Sequence, residues 1–210
     1  MATLSDTKLQ IAGIGHVYTA PVDTAPIDYS KFTFNPTSTL AGVTATTGPY
    51  AGYKAGSWTW LGDTSAENLI EFETEGGEAE QKHTWDRPSV KTIYSPETMS
   101  GTINALNVSA ETYKLAFAGG VDDRARKKYT VMGKKQAVKK ALMIVCEDGS
   151  DVMGFRFPHS DITGQFPGFD VEQFMEIPLN VQVLTSNVNG ARYDILDVRE
   201  YAGPAVEPAG

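Results

Sequence analysis

The three histidines and the single cysteine are the residues of this 210-residue chain whose types most often support catalysis or metal binding. His16, His83 and His159 lack the i, i+4 or cysteine-paired spacing that places ligands around a metal ion. Cys146 lies inside the apolar run of residues 141–146, where a thiol behaves as a small hydrophobic group. These four residues therefore predict structural roles.

Other chemical motifs are also missing. The chain contains no Gly-x-Ser-x-Gly elbow and no phosphate-binding Gly-x-x-x-x-Gly-Lys loop. The acidic pairs Asp122–Asp123 and Asp148 with Asp151 lack the alternating oxygen donors of a calcium loop. The sequence leaves a catalytic pair of carboxylates open as an alternative, because only the geometry of the folded chain can locate such a pair. We expect no enzyme activity, no catalytic residue, no metal and no cofactor.

The N-terminus has no basic stretch followed by an apolar one, and no apolar run approaches the ~20 residues of a membrane span. We therefore expect the chain to be made and kept in the cytoplasm until something releases it. Its net charge of −8 favours solubility and argues against a surface that grips nucleic acid.

Charge is segregated along the chain. Seven acids and no base lie in the acidic block (residues 63–80): Asp63, Glu67, Glu71, Glu73, Glu75, Glu78, Glu80. Eight bases and no acid lie in the basic segment (residues 124–140): Arg124, Arg126, Lys127, Lys128, Lys134, Lys135, Lys139, Lys140. Opposite blocks on one chain suit a head-to-tail contact between identical subunits, because complementary potentials fix register. The alternatives are two solvated faces, or pairing within one subunit.

Either block also suggests a relation to nucleic acid. The basic segment could bind it, yet the interleaved aromatic residues of a stacking platform are reduced to Tyr129. In the acidic block, Glu71, Glu73 and Glu75 share one face of a predicted strand, and Ile70 and Phe72 point to the other face. Such a face repels phosphate groups.

A period of two residues dominates the rest of the chain and predicts a mainly β fold. Predicted strands include 67–75, 81–85, 90–94, 99–106, 138–146, 152–157, 177–183 and 192–199. Asp148-Gly149 predicts a hairpin between two of them. One helix is predicted from Ser109 to Gly120, with Ser109 as its N-cap. We expect a single domain over residues 1–210.

Residues 35–57 are rich in Thr, Gly and Ala and predict a long loop, either floppy or ordered by a partner. Thr46, Thr47, Tyr50 and Tyr53 are its candidate contact residues. An extended tail is predicted at residues 200–210.

The aromatic residues of this region support a different hypothesis. Tyr50, Tyr53, Trp58 and Trp60 could form the sugar-stacking surface of a carbohydrate-binding β-sandwich. The two tryptophans could equally be core residues or subunit contacts.

Four segments in a familiar order resemble the major tail tube proteins of siphophages, especially those that infect actinobacteria. These segments are Gly15–Pro26, Trp58–Ser65, Phe72–Glu78 and Glu111–Gly120. The similarity runs through most of residues 11–120, and no single motif decides it.

The resemblance implies a β-sandwich or short barrel of two packed sheets, flanked by one α-helix. It implies hexameric rings that stack into a hollow virion tail tube around the tape measure protein, bounded by tail terminator and distal tail proteins. DNA would pass through the lumen without specific binding during delivery. Glu71, Glu73 and Glu75 then face the lumen, and residues 35–57 join rings. The basic segment matches no element of that family, so the expectation that it joins subunits rests on charge alone. The basic residues expected at this contact are Arg124, Arg126, Lys127, Lys128, Lys134 and Lys135. A tube protein of a contractile tail or injection particle is the related alternative.

Overall fold

The computed structural model describes residues 13–27, 39–43, 50–87, 89–148 and 151–200, with side chains as far as residue 196. The predicted tail at residues 200–210 therefore lies outside the described residues after Glu200. The described residues form thirteen strands and one α-helix, α1 (Ala110–Ala116). The strands are β1 (Ile14–Ala20), β2 (Leu40–Ala41), β3 (Ser57–Trp60), β4 (Glu71–Gly76), β5 (Ala79–Lys82), β6 (Lys91–Tyr94), β7 (Glu97–Ala105), β8 (Val121–Asp123), β9 (Lys128–Thr130), β10 (Val138–Asp148), β11 (Asp151–Gly164), β12 (Ile177–Leu184) and β13 (Asp194–Glu200).

Nine strands make one antiparallel sheet in the order β2-β3-β1-β10-β11-β12-β7-β4, and β13 also pairs with β11. β11 is 14 residues long and changes partner along its length. Its first half pairs with β13 and its second half with β12. The sheet divides there into two layers that pack on each other, as in a sandwich. The mainly β prediction is confirmed, and the sheet does not close into a barrel.

β10 is apolar on both faces because both faces are buried. Leu142 and Ile144 point into the larger core, which also contains residues of β7, β11, β12 and α1. Met143 and Val145 point the other way, into a second core around Trp58. Burial on two sides explains why residues 141–146 read as a continuous apolar run and not as an alternating one.

α1 covers one side of the larger core. Its N-cap is Ser109, whose hydroxyl accepts a hydrogen bond from the Thr112 amide at 3.2 Å, as the sequence predicted. The helix ends at Ala116, before the predicted end at Gly120. It lies so close to β11 that a Cβ at Gly164 would sit 2.4 Å from the Cβ of Ala116, so only glycine fits there.

Part of the predicted long loop is ordered by the fold. Leu40–Ala41 pairs with β3, and Gly42 donates its amide to the Gly56 carbonyl at 2.8 Å. Leu40 packs against the second core. The described ends of this segment therefore belong to the sandwich, since they cover one face of β1 and β10.

A buried arginine ties these ends to the sheet. Arg156 on β11 has no exposed surface, and its guanidinium donates twice to the Thr24 carbonyl, at 3.1 and 2.7 Å. It also forms an ion pair with Asp194 on β13. Its Cζ atom lies 4.2 Å from the centre of the Tyr53 ring, whose hydroxyl donates to Asn189 at 2.8 Å. The charge is thus paired and hydrogen-bonded, as a buried cation must be.

We expect Arg156→Met to lower the free energy of unfolding by about 3 kcal/mol, because it leaves the Asp194 carboxylate and the Thr24 carbonyl without their donor. Arg156→Lys should lose less, since lysine keeps the charge but not the planar fork. Urea denaturation followed by tryptophan fluorescence measures both. Arg192→Met, which removes a more exposed ion pair with Glu97, is the control and should cost less than about 1 kcal/mol. Equal losses at the two arginines would contradict this role.

Candidate functional site

The histidines lie in three separate environments. His16 is half-buried on β1, and burial lowers its pKa from 6.5 to about 4, although Asp63 acts in the opposite direction. His83 is exposed, and its Nδ1 accepts a hydrogen bond from the Ser89 amide at 2.8 Å. His159 is buried, with Nδ1 3.2 Å from the Thr185 carbonyl oxygen.

The acidic residues do not assemble into a metal site either. Across the described part of the chain, no three His, Cys, Asp or Glu side chains are grouped so that they could hold a metal ion. Asp122 and Asp123 are paired with neighbouring cations, Asp122 with Lys114 and Arg124 and Asp123 with Arg126. Among the same residues, no helix is long and apolar enough to span a bilayer.

The aromatic residues near β3 are mostly used inside the subunit. Trp58 is fully buried and donates its indole N–H to the Ala25 carbonyl at 2.8 Å. Tyr53 is buried beneath Arg156, and Trp60 packs against the second core. A sugar cannot stack on buried rings, so the predicted carbohydrate platform is wrong for Trp58 and Tyr53.

Tyr50 is the member of the predicted ring-joining set that the structure leaves half-exposed. Its ring lies 6.4 Å from that of Tyr53. Tyr53 anchors this end of the segment, so it holds Tyr50 close to the subunit surface. Thr46 and Thr47 lie outside the described residues.

The three predicted lumen residues share one face of an edge strand. Glu71, Glu73 and Glu75 are exposed on β4, while Phe72 points the other way and stacks on Phe157 at 4.7 Å between ring centres. β4 pairs with β7 alone among the described strands. The alternation predicted from the sequence therefore separates carboxylates from core, as a half-buried strand requires.

The polarity of β4 extends across the neighbouring strands. Glu71 lies opposite Thr102, which lies opposite Asn180, and Glu73 lies opposite Ser100. Cross-strand partners share a face, so these side chains form one surface with a shallow concavity of about 740 Å³. We call it the polar face, and its members are Glu71, Glu73, Glu75, Thr98, Ser100, Thr102, Asn104, Asn180 and Gln182.

The polar face continues through β11 and meets its first cation on β10. Gln182 lies opposite Asp161, which lies opposite Lys139 on β10. The Lys139 ammonium is 3.4 Å from the Asp161 carboxylate, so its charge is balanced locally. The described residues of this surface are therefore neutral or acidic wherever they are not ion-paired.

The basic segment begins in a tight hairpin beside α1. β8 and β9 pair, the Tyr129 hydroxyl donates to the Phe117 carbonyl at 2.7 Å, and the Tyr129 ring stacks on Tyr113 at 5.9 Å. A left-handed residue, Lys127, closes the turn at φ 49°. These contacts fix where the segment lies on the subunit.

The first two bases of the segment are paired within the subunit. Arg124 contacts Asp122 at 3.1 Å and Glu111 at 3.2 Å, and Arg126 contacts Asp123 at 2.7 Å. Hydrogen bonds from Arg124 and then Lys114 lower the pKa of Asp122. None of these partners belongs to the acidic block, so intramolecular pairing accounts for the two arginines without using that block.

The remaining predicted contact bases are lysines. They are exposed and form no ion pair with any residue that the structure describes: Lys127, Lys128, Lys134, Lys135. They are the part of the basic segment whose charge is available to a second molecule.

The sequence profile of the phage tail tube protein family matches residues 1–194. The chain is 27% identical over 155 residues to the major tail protein Gp23 of Mycobacterium phage D29, and 28% identical over 152 residues to that of Mycobacterium phage L5. Each alignment covers 71% of this chain and 71% of the relative. The chain belongs to the phage tail tube protein family. The resemblance drawn from the four segments is confirmed, and the relatives come from phages of an actinobacterial genus.

Family membership makes the chain a structural subunit of a phage tail tube, located in the tail of the virion. Its function is therefore carried by surfaces and by assembly. Three surface features are the candidates for contact with other molecules: the polar face, the four exposed lysines and Tyr50.

We expect stability to fall as pH drops from 6.5 toward 4, in part through His16. Its pKa in the folded state, about 4, is below the unfolded value of 6.5, so the unfolded chain takes up a proton that the folded chain refuses. His16→Gln should remove about 2 kcal/mol of the difference in unfolding free energy between pH 7 and pH 4.5. Urea titrations at the two pH values measure it. His83→Gln, at an exposed site, is the control, and an unchanged pH dependence in His16→Gln would contradict the assignment.

Proposed function

We propose that the chain polymerises into stacked hexameric rings, and that the polar face of every subunit lines a hollow channel through which DNA is delivered. The family supports self-assembly into a tube. The hexameric ring, the stacking of rings and the inward orientation of the polar face go beyond self-assembly and belong to the proposal. The observation that carries them is the composition of the polar face.

The polar face has the chemistry that a DNA channel needs. DNA carries a high density of negative charge, so a wall of free lysines and arginines would hold it by counterion release. Carboxylates on β4 beside neutral Ser, Thr, Asn and Gln side chains repel phosphate groups or leave them hydrated. The opposite face of the same strands carries the core, including Ile103, Leu179 and Val181. Only one face can therefore be the wall.

The free edge of β4 supports closure of the ring. Unpaired N–H and C=O groups along an edge favour pairing with another strand. If each of the six copies contributes the four strands β4, β7, β12 and β11 to one inner wall, the resulting barrel has about 24 strands. Barrels of ~16–18 strands already enclose an aqueous channel, so this one is wide enough for a channel.

Complementary charge supports the contact between neighbours. The lysines Lys127, Lys128, Lys134 and Lys135 lack ion-pair partners among the described residues, and the acidic block of the next subunit offers exposed carboxylates such as Glu78. We assign the lysines to this contact. Arg124 and Arg126 then act by holding the hairpin in place.

We assign contact between rings to the segment of residues 35–57. Thr46 and Thr47 are its proposed contact residues, with Tyr50 beside them. Buried Tyr53 serves as the anchor that links the segment to Arg156.

The proposed partners are those of a structural tube protein without catalytic activity. They are further copies of the chain, a tape measure protein inside, and terminator and distal tail proteins at the two ends. Assembly takes place in the host cytoplasm. A tube within a contractile tail or injection particle uses the same surfaces and adds a sheath.

We expect purified protein at high concentration to form hollow tubes in negative-stain electron microscopy. Assembled with short DNA duplexes, wild-type tubes should protect almost none of the DNA from nuclease. Glu71→Lys/Glu73→Lys/Glu75→Lys tubes should protect DNA, more so at low salt, because lysines in a channel release counterions from the duplex.

The matched control reverses exposed acids outside the polar face. Asp170→Lys/Glu172→Lys tubes can attract DNA to another surface, where nuclease still digests it. Protection by the control equal to that of the β4 variant would contradict the channel assignment. Tubes without a central hole would contradict the function itself.

We expect reversal of the four lysines, Lys127→Glu/Lys128→Glu/Lys134→Glu/Lys135→Glu, to abolish tube growth, because it turns attraction to the acidic block into repulsion. Sedimentation of tubes measures assembly. The neutral variant with Gln at the same positions should assemble more slowly than the wild type, and salt should slow the wild type but hardly affect the Gln variant. Normal tubes from the Glu variant would overturn the contact.

A further inference from the structure

An apolar groove of about 570 Å³ opens between the start of β1, the segment before β4, and β10 and β11. Its volume lies within the ~300–1,000 Å³ of typical binding pockets. The walls are large apolar side chains of the sandwich: Ile70, Phe72, Met99, Ile144, Phe155 and Phe157. Ile14 and Leu69 stand at the mouth, each more than half exposed. A concentration of exposed apolar surface of this kind marks a contact site.

The groove also holds the single cysteine of the chain. Cys146 lines it, and burial raises the pKa of its thiol. This shift and the apolar walls indicate a poorly hydrated environment, which favours an apolar occupant.

A β-hairpin, residues 78–95, projects from the sheet beyond β4 and β7, and we call it the arm. Its strands β5 and β6 pair only with each other among the described strands, and every residue in them is exposed. An isolated two-stranded hairpin is at best marginally stable in water. Large apolar side chains are exposed along it: Val90, Ile93 and Tyr94. The arm therefore has the properties of an element completed by contact with another molecule.

Trp85 stands fully exposed at the tip of the arm. The Thr84 amide donates to the Arg87 carbonyl at 2.9 Å, and the Arg87 amide returns a bond to Thr84 at 3.3 Å. The Ser89 hydroxyl also donates to Gln81 across the hairpin, at 2.9 Å. The indole is therefore presented outward from an internally bonded turn, which lowers the entropy lost on docking.

Charges at the tip and beside the groove are opposite. The tip carries two exposed bases and one acid, Arg87 and Lys91 with Asp86, whereas the charge of Lys82 is balanced by an ion pair with Glu80. Two exposed acidic residues flank the groove-lining residues 64–66 in sequence: Asp63 and Glu67. A basic tip and an acidic rim favour approach and fix the orientation of a contact.

We propose that Trp85 of one subunit docks into the groove of a second copy. The contact rests on the proposed self-assembly. The tip extends roughly 25 Å beyond the end of β4, estimated from about 3.3 Å per residue, and Trp85 does not occupy the groove of its own subunit. The tip of the arm and the groove are thus different surfaces of the subunit, so the contact is head-to-tail and propagates from copy to copy. A buried Trp in an apolar pocket is a frequent interface hot spot.

Cys146 makes the contact measurable, because its thiol lies in the groove. Maleimide modification should be about tenfold or more slower in sedimented wild-type tubes than in free subunits. Trp85→Ala should raise the protein concentration needed for assembly about tenfold or more, with unchanged circular dichroism and unchanged thiol reactivity of the free subunit. Val108→Ala, which trims an exposed apolar side chain away from arm and groove, is the control and should behave as wild type.

A cross-link identifies the two partners directly. Trp85→Cys adds a second thiol to each chain and, like Trp85→Ala, should need a higher concentration to assemble. A short bismaleimide applied to the variant above that concentration should produce a ladder of linked multimers on a denaturing gel. Trp85→Cys/Cys146→Ser and Val108→Cys should produce no ladder beyond dimers.

The outcomes separate the two proposals. Tubes in which Cys146 reacts as fast as in free subunits, or Trp85→Ala tubes that form at wild-type concentration with Cys146 protected, overturn the docking contact and leave tube formation standing. Wild-type chains that remain monomeric at every concentration overturn self-assembly and the docking contact together.

Discussion

Arg156 places a positive charge where several distant parts of the chain meet. Taking a cation out of water costs several kcal/mol unless carbonyls, carboxylates or aromatic faces surround it. Here the Thr24 carbonyl, Asp194 and the Tyr53 ring do so together. Thr24 is 132 residues away in sequence, so the charge can be satisfied only when both ends of the chain are in place. The segments that cover the second core are held there, and β10 stays dry on both faces as a result.

In contrast to β10, the layer formed by β4, β7 and β12 packs against the core on one face only. Its strands alternate strictly, so one set of positions packs the sandwich and the other forms the polar face. Fold and function are therefore encoded in the same residues, one position apart. The polar face needs a pattern of neutral and acidic side chains and no particular catalytic group, in agreement with the lack of any chemical motif.

Local patterns predicted much of this arrangement. Alternation placed Phe72 inward and Glu71, Glu73 and Glu75 outward, and the Ser109 cap marked the start of α1. Such local patterns do not predict contacts between residues that are far apart in sequence. Arg156 reads as an ordinary surface position in an alternating strand, and Tyr53 as part of a loop, because their burial depends on residues far away in sequence. The internal pairing of Arg124 and Arg126 was also missed, since it depends on a turn that brings them back onto Asp122 and Asp123.

The two-residue alternation of the polar face has a consequence for how such chains can evolve. Many exchanges among Ser, Thr, Asn, Gln, Glu and Asp preserve a hydrated wall, so point substitutions there can accumulate at little cost. Inserting or deleting one residue within β4, β7 or β12 is different, because it turns apolar side chains outward and polar ones into the core. Lineages of this protein should therefore drift far in amino-acid identity, as the 27% and 28% values already indicate, while the lengths of these three strands stay unchanged.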